Sequence, residues 1–185
     1  MNSNSGFLKG HPSYILPVAV PLLAFIIAVI SRDILIIDYV HVLIGAVWIG
    51  TDVFLGLLFA SVTKTIDDLS KVHIAERMMP MTLFFIPTAS IITPLLGYIL
   101  SVKEGIFSFT SELFLSIIAL TLVIVVISFA FIVPYSYDIL KATRWESKNF
   151  GIISKRVNQI SFFALVQLSF QIALVSLMAY IVVFL

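Results

Sequence analysis

The stretch ILIIDYVHVLIGAVWIGTDVFLGLLFASV, residues 34–62, decides the fold. It is almost wholly apolar and exceeds the roughly 20 residues that a helix needs to cross a bilayer, yet it carries Asp38, His41 and Asp52. Asp38, His41, Gly45, Trp48 and Asp52 follow one another at spacings of 3, 4, 3 and 4 residues. On a helix that spacing puts all five on one face. Ionisable side chains inside a membrane are costly and by default mark function, so this stripe is the first place to look for a site.

Outward from residues 34–62 the same apolar character recurs. Five stretches, at about 13–31, 35–62, 79–101, 111–135 and 158–184, read as transmembrane helices, and residues 1–185 as a single all-α bundle domain. With 61% hydrophobic and 11% charged residues in 185, and a mean hydropathy of +1.14, the chain is an integral membrane protein rather than a soluble domain. Alternating strands of the transmembrane-barrel type are absent from the sequence. The net charge of +1 gives no basic footprint for nucleic acid. There is no cysteine, which excludes disulfides, thiolate metal sites and iron–sulfur clusters, and leaves imidazole, carboxylate and thioether ligands. The first apolar stretch lacks a small-residue cleavage pattern before Arg32 and Asp33, and reads as a retained helix.

Lys and Arg are distributed unevenly between the two ends. Lys9, then Lys64, Lys71 and Arg77, then Lys141, Arg144, Lys148, Lys155 and Arg156 fall on one side, whereas Arg32 and Lys103 fall on the other. The positive-inside rule places the N-terminus in the cytoplasm and the C-terminus outside, in a multi-pass protein of the cell membrane. His41 then lies in the outer half of the second helix, and His11 and His73 near the cytoplasmic face.

The polar content of the other helices adds detail. Asp67 to Met79 is rich in helix formers, so the third helix is expected to begin before the membrane. Pro80, Pro87 and Pro94 recur every seven residues and each removes a backbone donor on nearly the same side; the expected result is a bowed helix. Thr82, Thr88, Ser90 and Thr93 are expected to re-satisfy freed carbonyls. The fourth helix opens at Thr110-Ser111-Glu112, and its run from Leu113 to Val133 reads as lipid-facing or structural. Gln167 and Gln171, four apart on the fifth, need partners on neighbouring helices, or contact a quinone or cofactor.

His41 is the best ligand candidate, because neutral imidazole binds haem iron, copper and zinc, and Asp38 one turn away is placed to orient its second ring nitrogen. Gly45 leaves room for a neighbour or a planar ligand, as do Gly50 and Gly56. Trp48 is read as a core residue or a cofactor contact. Asp52, near the helix midpoint, costs about 2.5–3.5 kcal/mol there unless protonated, paired or wetted, and is the proton-linked candidate. Tyr98, or a residue of a partner subunit, is the candidate for a second axial ligand. Met78, Met79 and Met81 are soft enough for copper, but lie at the opposite end from His41.

Asp38-Tyr39-Val40-His41-Val42-Leu43-Ile44-Gly45-Ala46-Val47-Trp48-Ile49-Gly50 resembles the His-containing helix of small CopD-like and HemJ-like membrane proteins. Ala75-Glu76-Arg77-Met78-Met79-Pro80 leading to Thr93-Pro94-Leu95-Leu96-Gly97-Tyr98 resembles the helix that follows it there. The resemblance covers about residues 39–100; Asp52 and the first helix depart from its pattern. It implies a haem b or copper role for His41. HemJ-type proteins are protoporphyrinogen oxidases feeding the respiratory chain, and CopD-type proteins are associated with copper movement. Sequence and resemblance together point to a haem-associated redox or electron-transfer protein, with a quinone or another electron-transfer partner. The alternatives are an accessory subunit of a larger respiratory-type membrane complex, as a homo-oligomer or with other subunits, and copper or proton transport.

Overall fold

The computed structural model describes residues 15–144 and 150–184. Lys9 and Lys148 of the charge count, and His11, lie outside the described residues, as does the side chain of Arg144. The described residues form five helices: α1 (Leu16–Ser31), α2 (Ile34–Thr63), α3 (Asp68–Lys103), α4 (Glu112–Thr143) and α5 (Phe150–Phe184). Among the described residues there is no strand. The fold is therefore the expected all-α membrane bundle. α2 to α5 are each long and apolar enough to cross a bilayer. α1, at 16 residues, reaches about 24 Å and is shorter than a full span.

Local sequence explains where the helices start and turn. Asp33 caps α2, its carboxylate accepting from the Leu35 N–H at 2.9 Å. The preceding Arg32 adopts a left-handed conformation, φ 56°, and its carbonyl accepts from Lys103 Nζ at 2.8 Å, which ties the α1–α2 corner to the end of α3. Asp67 caps α3, accepting from the Ser70 N–H at 2.9 Å and the Ser70 hydroxyl at 2.6 Å. The Ser70 hydroxyl, then its N–H, hold the Asp67 carboxyl below the usual carboxylate range. The cap thus contributes fully above that range, and its contribution is lost as pH falls below it through the lowered value of the folded protein. α3 does begin ahead of its apolar stretch, as Asp67 to Met79 suggested.

α3 stays helical through Pro80, Pro87 and Pro94. Its hydroxyls act differently from expectation. Thr82, Thr88 and Ser90 donate to the carbonyls of Met78, Phe84 and Pro87, none of which lies four residues before a proline. Each hydroxyl follows the ordinary local back-bond to a residue three or four earlier. Thr93 Oγ1 has no partner.

α3 packs against α1, α2 and α4, and α5 closes the bundle against α2 and α4. Two buried apolar clusters result. One gathers Leu55, Phe59, Met79, Ile86, Ile132 and Ile160 toward the α2–α3 connection. The other gathers Ile37, Ile44, Trp48, Ile92, Leu96 and Ile124 toward the opposite end. No more than 33% of the most apolar window of any candidate span is buried within the chain, and many large apolar side chains of these helices are exposed, a surface suited to lipid. α2 and α4 each widen into π-helical turns, at Phe54–Phe59 and Ser128–Ile132.

The ends of the bundle carry its charges and aromatics. Phe107 packs edge-on against Tyr98, Phe109 and Phe114, with ring centroids 5.1, 4.7 and 5.5 Å away. At the other end Arg156 on α5 pairs with Asp138 on α4 at 2.8 Å, lies 4.5 Å over the Tyr135 ring and donates to Gln159. Arg156→Ala is expected to lower stability by about 1–2 kcal/mol, read as an earlier thermal transition in micelles. An unchanged transition would mean that α4 and α5 are held without it.

Candidate functional site: an imidazole seat and a separate buried carboxyl

The α2 stripe is real as a face of the helix, but its members have different surroundings. Asp38 is exposed, His41 half-buried, and Trp48 and Asp52 buried. Eleven residues separate His41 from Asp52, about 16 Å along the axis, so the two do not share a site. Among the described residues no group of three His, Asp or Glu side chains is arranged to hold a metal ion.

His41 is seated by α3. Its Nδ1 lies 2.9 Å from the carbonyl oxygen of Thr93. A carbonyl only accepts, so Nδ1 carries the hydrogen in the neutral ring and Nε2 keeps its lone pair. The orienting partner expected from sequence was Asp38; the structure supplies the Thr93 carbonyl instead. Asp38 is exposed and makes no hydrogen bond to the ring among the described residues, acting on it only as a nearby charge. A backbone carbonyl orients a ligand histidine as well as a carboxylate does.

The ring can approach because position 97 is glycine. A Cβ there would stand 2.9 Å from His41 Cε1 and 3.5 Å from both ring nitrogens. Gly45 brings the helices together one turn further on, where a Cβ would meet Thr93 Cγ2 at 3.4 Å. Gly50 faces open space and contributes nothing to packing. Gly97→Ala is expected to push the imidazole off the Thr93 carbonyl and cost about 1–3 kcal/mol by overpacking. Thermal melting of Gly97→Ala beside Gly50→Ala checks this; equal transitions would show that the ring yields without loss.

Tyr98, the candidate second ligand, is 52% exposed and engaged edge-on by Phe107. It is not gathered onto His41. The thioethers are also elsewhere: Met79 is core, and Met78 and Met81 line a shallow groove with Thr51, Phe54, Thr82 and Phe85. That groove, about 240 Å³, is below the roughly 300–1,000 Å³ of ordinary ligand pockets and is apolar.

Asp52 joins a polar layer between the two apolar clusters. Gln167 Nε2 on α5 donates to Asp52 Oδ2 at 2.6 Å, and Ser128 Oγ on α4 donates to Gln167 Oε1 at 2.9 Å. Gln171, one turn along α5, presents its amide toward the same carboxyl without closing a hydrogen bond of normal geometry. The close α2–α5 crossing at Gly56 permits this, since a Cβ there would stand 2.8 Å from Leu165 Cγ and 3.1 Å from Leu165 N. Gln167 does have the interhelical partners that an amide in hydrocarbon needs. Ser128 adds to the reading of Leu113 to Val133 as lipid-facing or structural: it is completely buried and part of the layer. Its signal was faint, one hydroxyl beside Ser116 and Thr121 in an otherwise apolar run. Compared with protein-family models, curated proteins and solved structures, the chain matches none.

Proposed function

We propose that this chain is a haem-associated redox protein, or the haem-carrying subunit of a membrane electron-transfer complex, with His41 Nε2 as an axial ligand. The observation that carries the reading is the seat of His41: an imidazole inside a membrane domain whose Nδ1–H is spent on the Thr93 carbonyl, so that Nε2 is held as a lone pair. This is the form in which histidine ligates iron. The donor set fits one axial position. Haem, where bound, supplies one-electron chemistry. His41 binds, Thr93 orients the ring through its carbonyl, and Gly97 keeps clear the space the ring occupies. His11 and His73 are the other histidines of the chain; His73 lies at the far end of α3, 60% exposed and beside Glu76. A second protein ligand to such a haem would come from a partner subunit or a second copy of the chain.

With the basic residues Lys64, Lys71, Lys141, Lys155 and Arg156 at the cytoplasmic face, His41 sits nearer the outer surface. Protein purified from its native membranes is expected to yield one extractable haem per chain and stoichiometric iron. Stoichiometric copper without haem would replace the haem reading by the copper one, and neither metal would overturn both.

A further inference from the structure

The polar layer around Asp52 forms a second site, independent of His41 and of any haem. Asp52, Gln167 and Ser128 are completely buried, Gln171 is 3% exposed and Trp48 4%. Four polar atoms there lack a partner: Asp52 Oδ1, both amide atoms of Gln171, and Trp48 Nε1. Buried polar atoms are otherwise satisfied almost everywhere in folded proteins, so a cluster of four on adjoining turns points to something that binds there.

Charge balance narrows what that is. A carboxylate away from water needs a cation, a metal or a proton. No ion pair to Asp52 occurs among the described residues. α1 has no ionisable side chain, and none lies between Met78 and Gly97 on α3, between Leu113 and Pro134 on α4 or between Val157 and Ala179 on α5. On α2 itself the nearest is His41, about 16 Å away and engaged with Thr93. Protein charges thus leave the carboxyl unbalanced from every helix packed against it.

We propose that Asp52 is a proton-binding site in the interior of the membrane domain, with the proton carried on Oδ1 and donated to Gln171 Oε1. This pairs two of the four orphaned atoms with each other. Oδ2 then acts as the carbonyl oxygen that accepts from Gln167 Nε2, and Gln167 Oε1 accepts from Ser128 Oγ. Ser128, Gln167, Asp52 and Gln171 become one directed chain of hydrogen bonds across α4, α5 and α2. Binding takes one proton from a hydronium ion, whose O–H bond breaks to leave water as the O–H bond on Oδ1 forms and gives a neutral carboxyl; release is the reverse. The π-helical turn of α2 begins two residues after Asp52, and that of α4 begins at Ser128. Such turns recur at functional sites, and here one opens at Ser128, the first member of the chain, and the other just after Asp52, its third.

Infrared spectra of the full chain in lipid nanodiscs at neutral pH test this. The expected result is a protonated-carboxyl band that moves in D2O, disappears in Asp52→Asn and shifts in Gln171→Leu. A missing band, or the same band in Asp52→Asn, would overturn the proposal, and an unshifted band in Gln171→Leu would remove Gln171 as the acceptor. Should Asp52→Asn fail to fold, wild-type protein treated with dicyclohexylcarbodiimide, which adds to protonated carboxyls in apolar surroundings, decides alone. An adduct on the Asp52 peptide, equal in sodium and choline chloride, supports the proton. No adduct, or protection by sodium, overturns it, the latter in favour of a metal cation.

Discussion

Replacing His41 by alanine is expected to abolish haem binding, seen as loss of the Soret band from the purified protein, while the helical circular dichroism stays as in the wild type. The imidazole is half-buried on the α2–α3 seam, and its removal deletes one hydrogen bond to a carbonyl. Thr93 O can still serve the helix ladder through its other lone pair, so the loss of one such bond in a membrane domain costs roughly 0.6–2 kcal/mol. That is small beside the loss of the proposed ligand, for which the other described histidine, His73, exposed at the far end of α3, is no substitute. Asp38→Asn is the contrasting variant. Because Asp38 is exposed and Thr93 does the orienting, it should leave the Soret band in place. A large loss in Asp38→Asn would return the orienting role to the carboxylate.

The largest expected loss of stability comes from Gly56→Val. The Cβ alone would stand 2.8 and 2.9 Å from the Leu165 side chain and 3.1 Å from its backbone nitrogen. A side chain can rotate away, but backbone cannot, so α2 and α5 have to separate. Overpacking of this kind costs about 1–3 kcal/mol. Separation also stretches the 2.6 Å bond between Asp52 and Gln167, one turn from the crossing, which adds roughly 0.6–2 kcal/mol. The sum, about 2–5 kcal/mol, is large against the stability of a small domain. Gly50→Ala is the matched control, since its Cβ meets nothing within 4 Å and alanine is the better helix former. Unfolding in mixed micelles should rank Gly56→Val far below the wild type and Gly50→Ala level with it or above. A Gly56→Val protein as stable as the wild type would show that the two helices are not in backbone contact.

Much of this was legible in the sequence, and the remainder has identifiable causes. Apolar length gave the helices, and the caps Asp33 and Asp67 precede their helices as polar residues before apolar or helix-forming runs. The His41 and Asp52 pair stood out because lipid rejects such groups. What seats His41 was hidden, because the orienting atom is a backbone carbonyl, which every residue possesses, and the space for the ring is the missing Cβ of Gly97. Asp52 and Gln167 were each visible as groups needing a partner, but 115 residues separate them and neither names the other. Helical periodicity put Asp38 on the His41 face without saying that this part of the face is exposed. The π-helical turns leave no pattern in composition at all.

The reduced-minus-oxidised visible spectrum of the purified wild-type protein tests the central claim most directly. A b-type Soret and α-band pair, lost in His41→Ala and shifted in Gly97→Ala, is the predicted result. A featureless difference spectrum from protein isolated intact from its own membranes, or bands unchanged in His41→Ala, would contradict it.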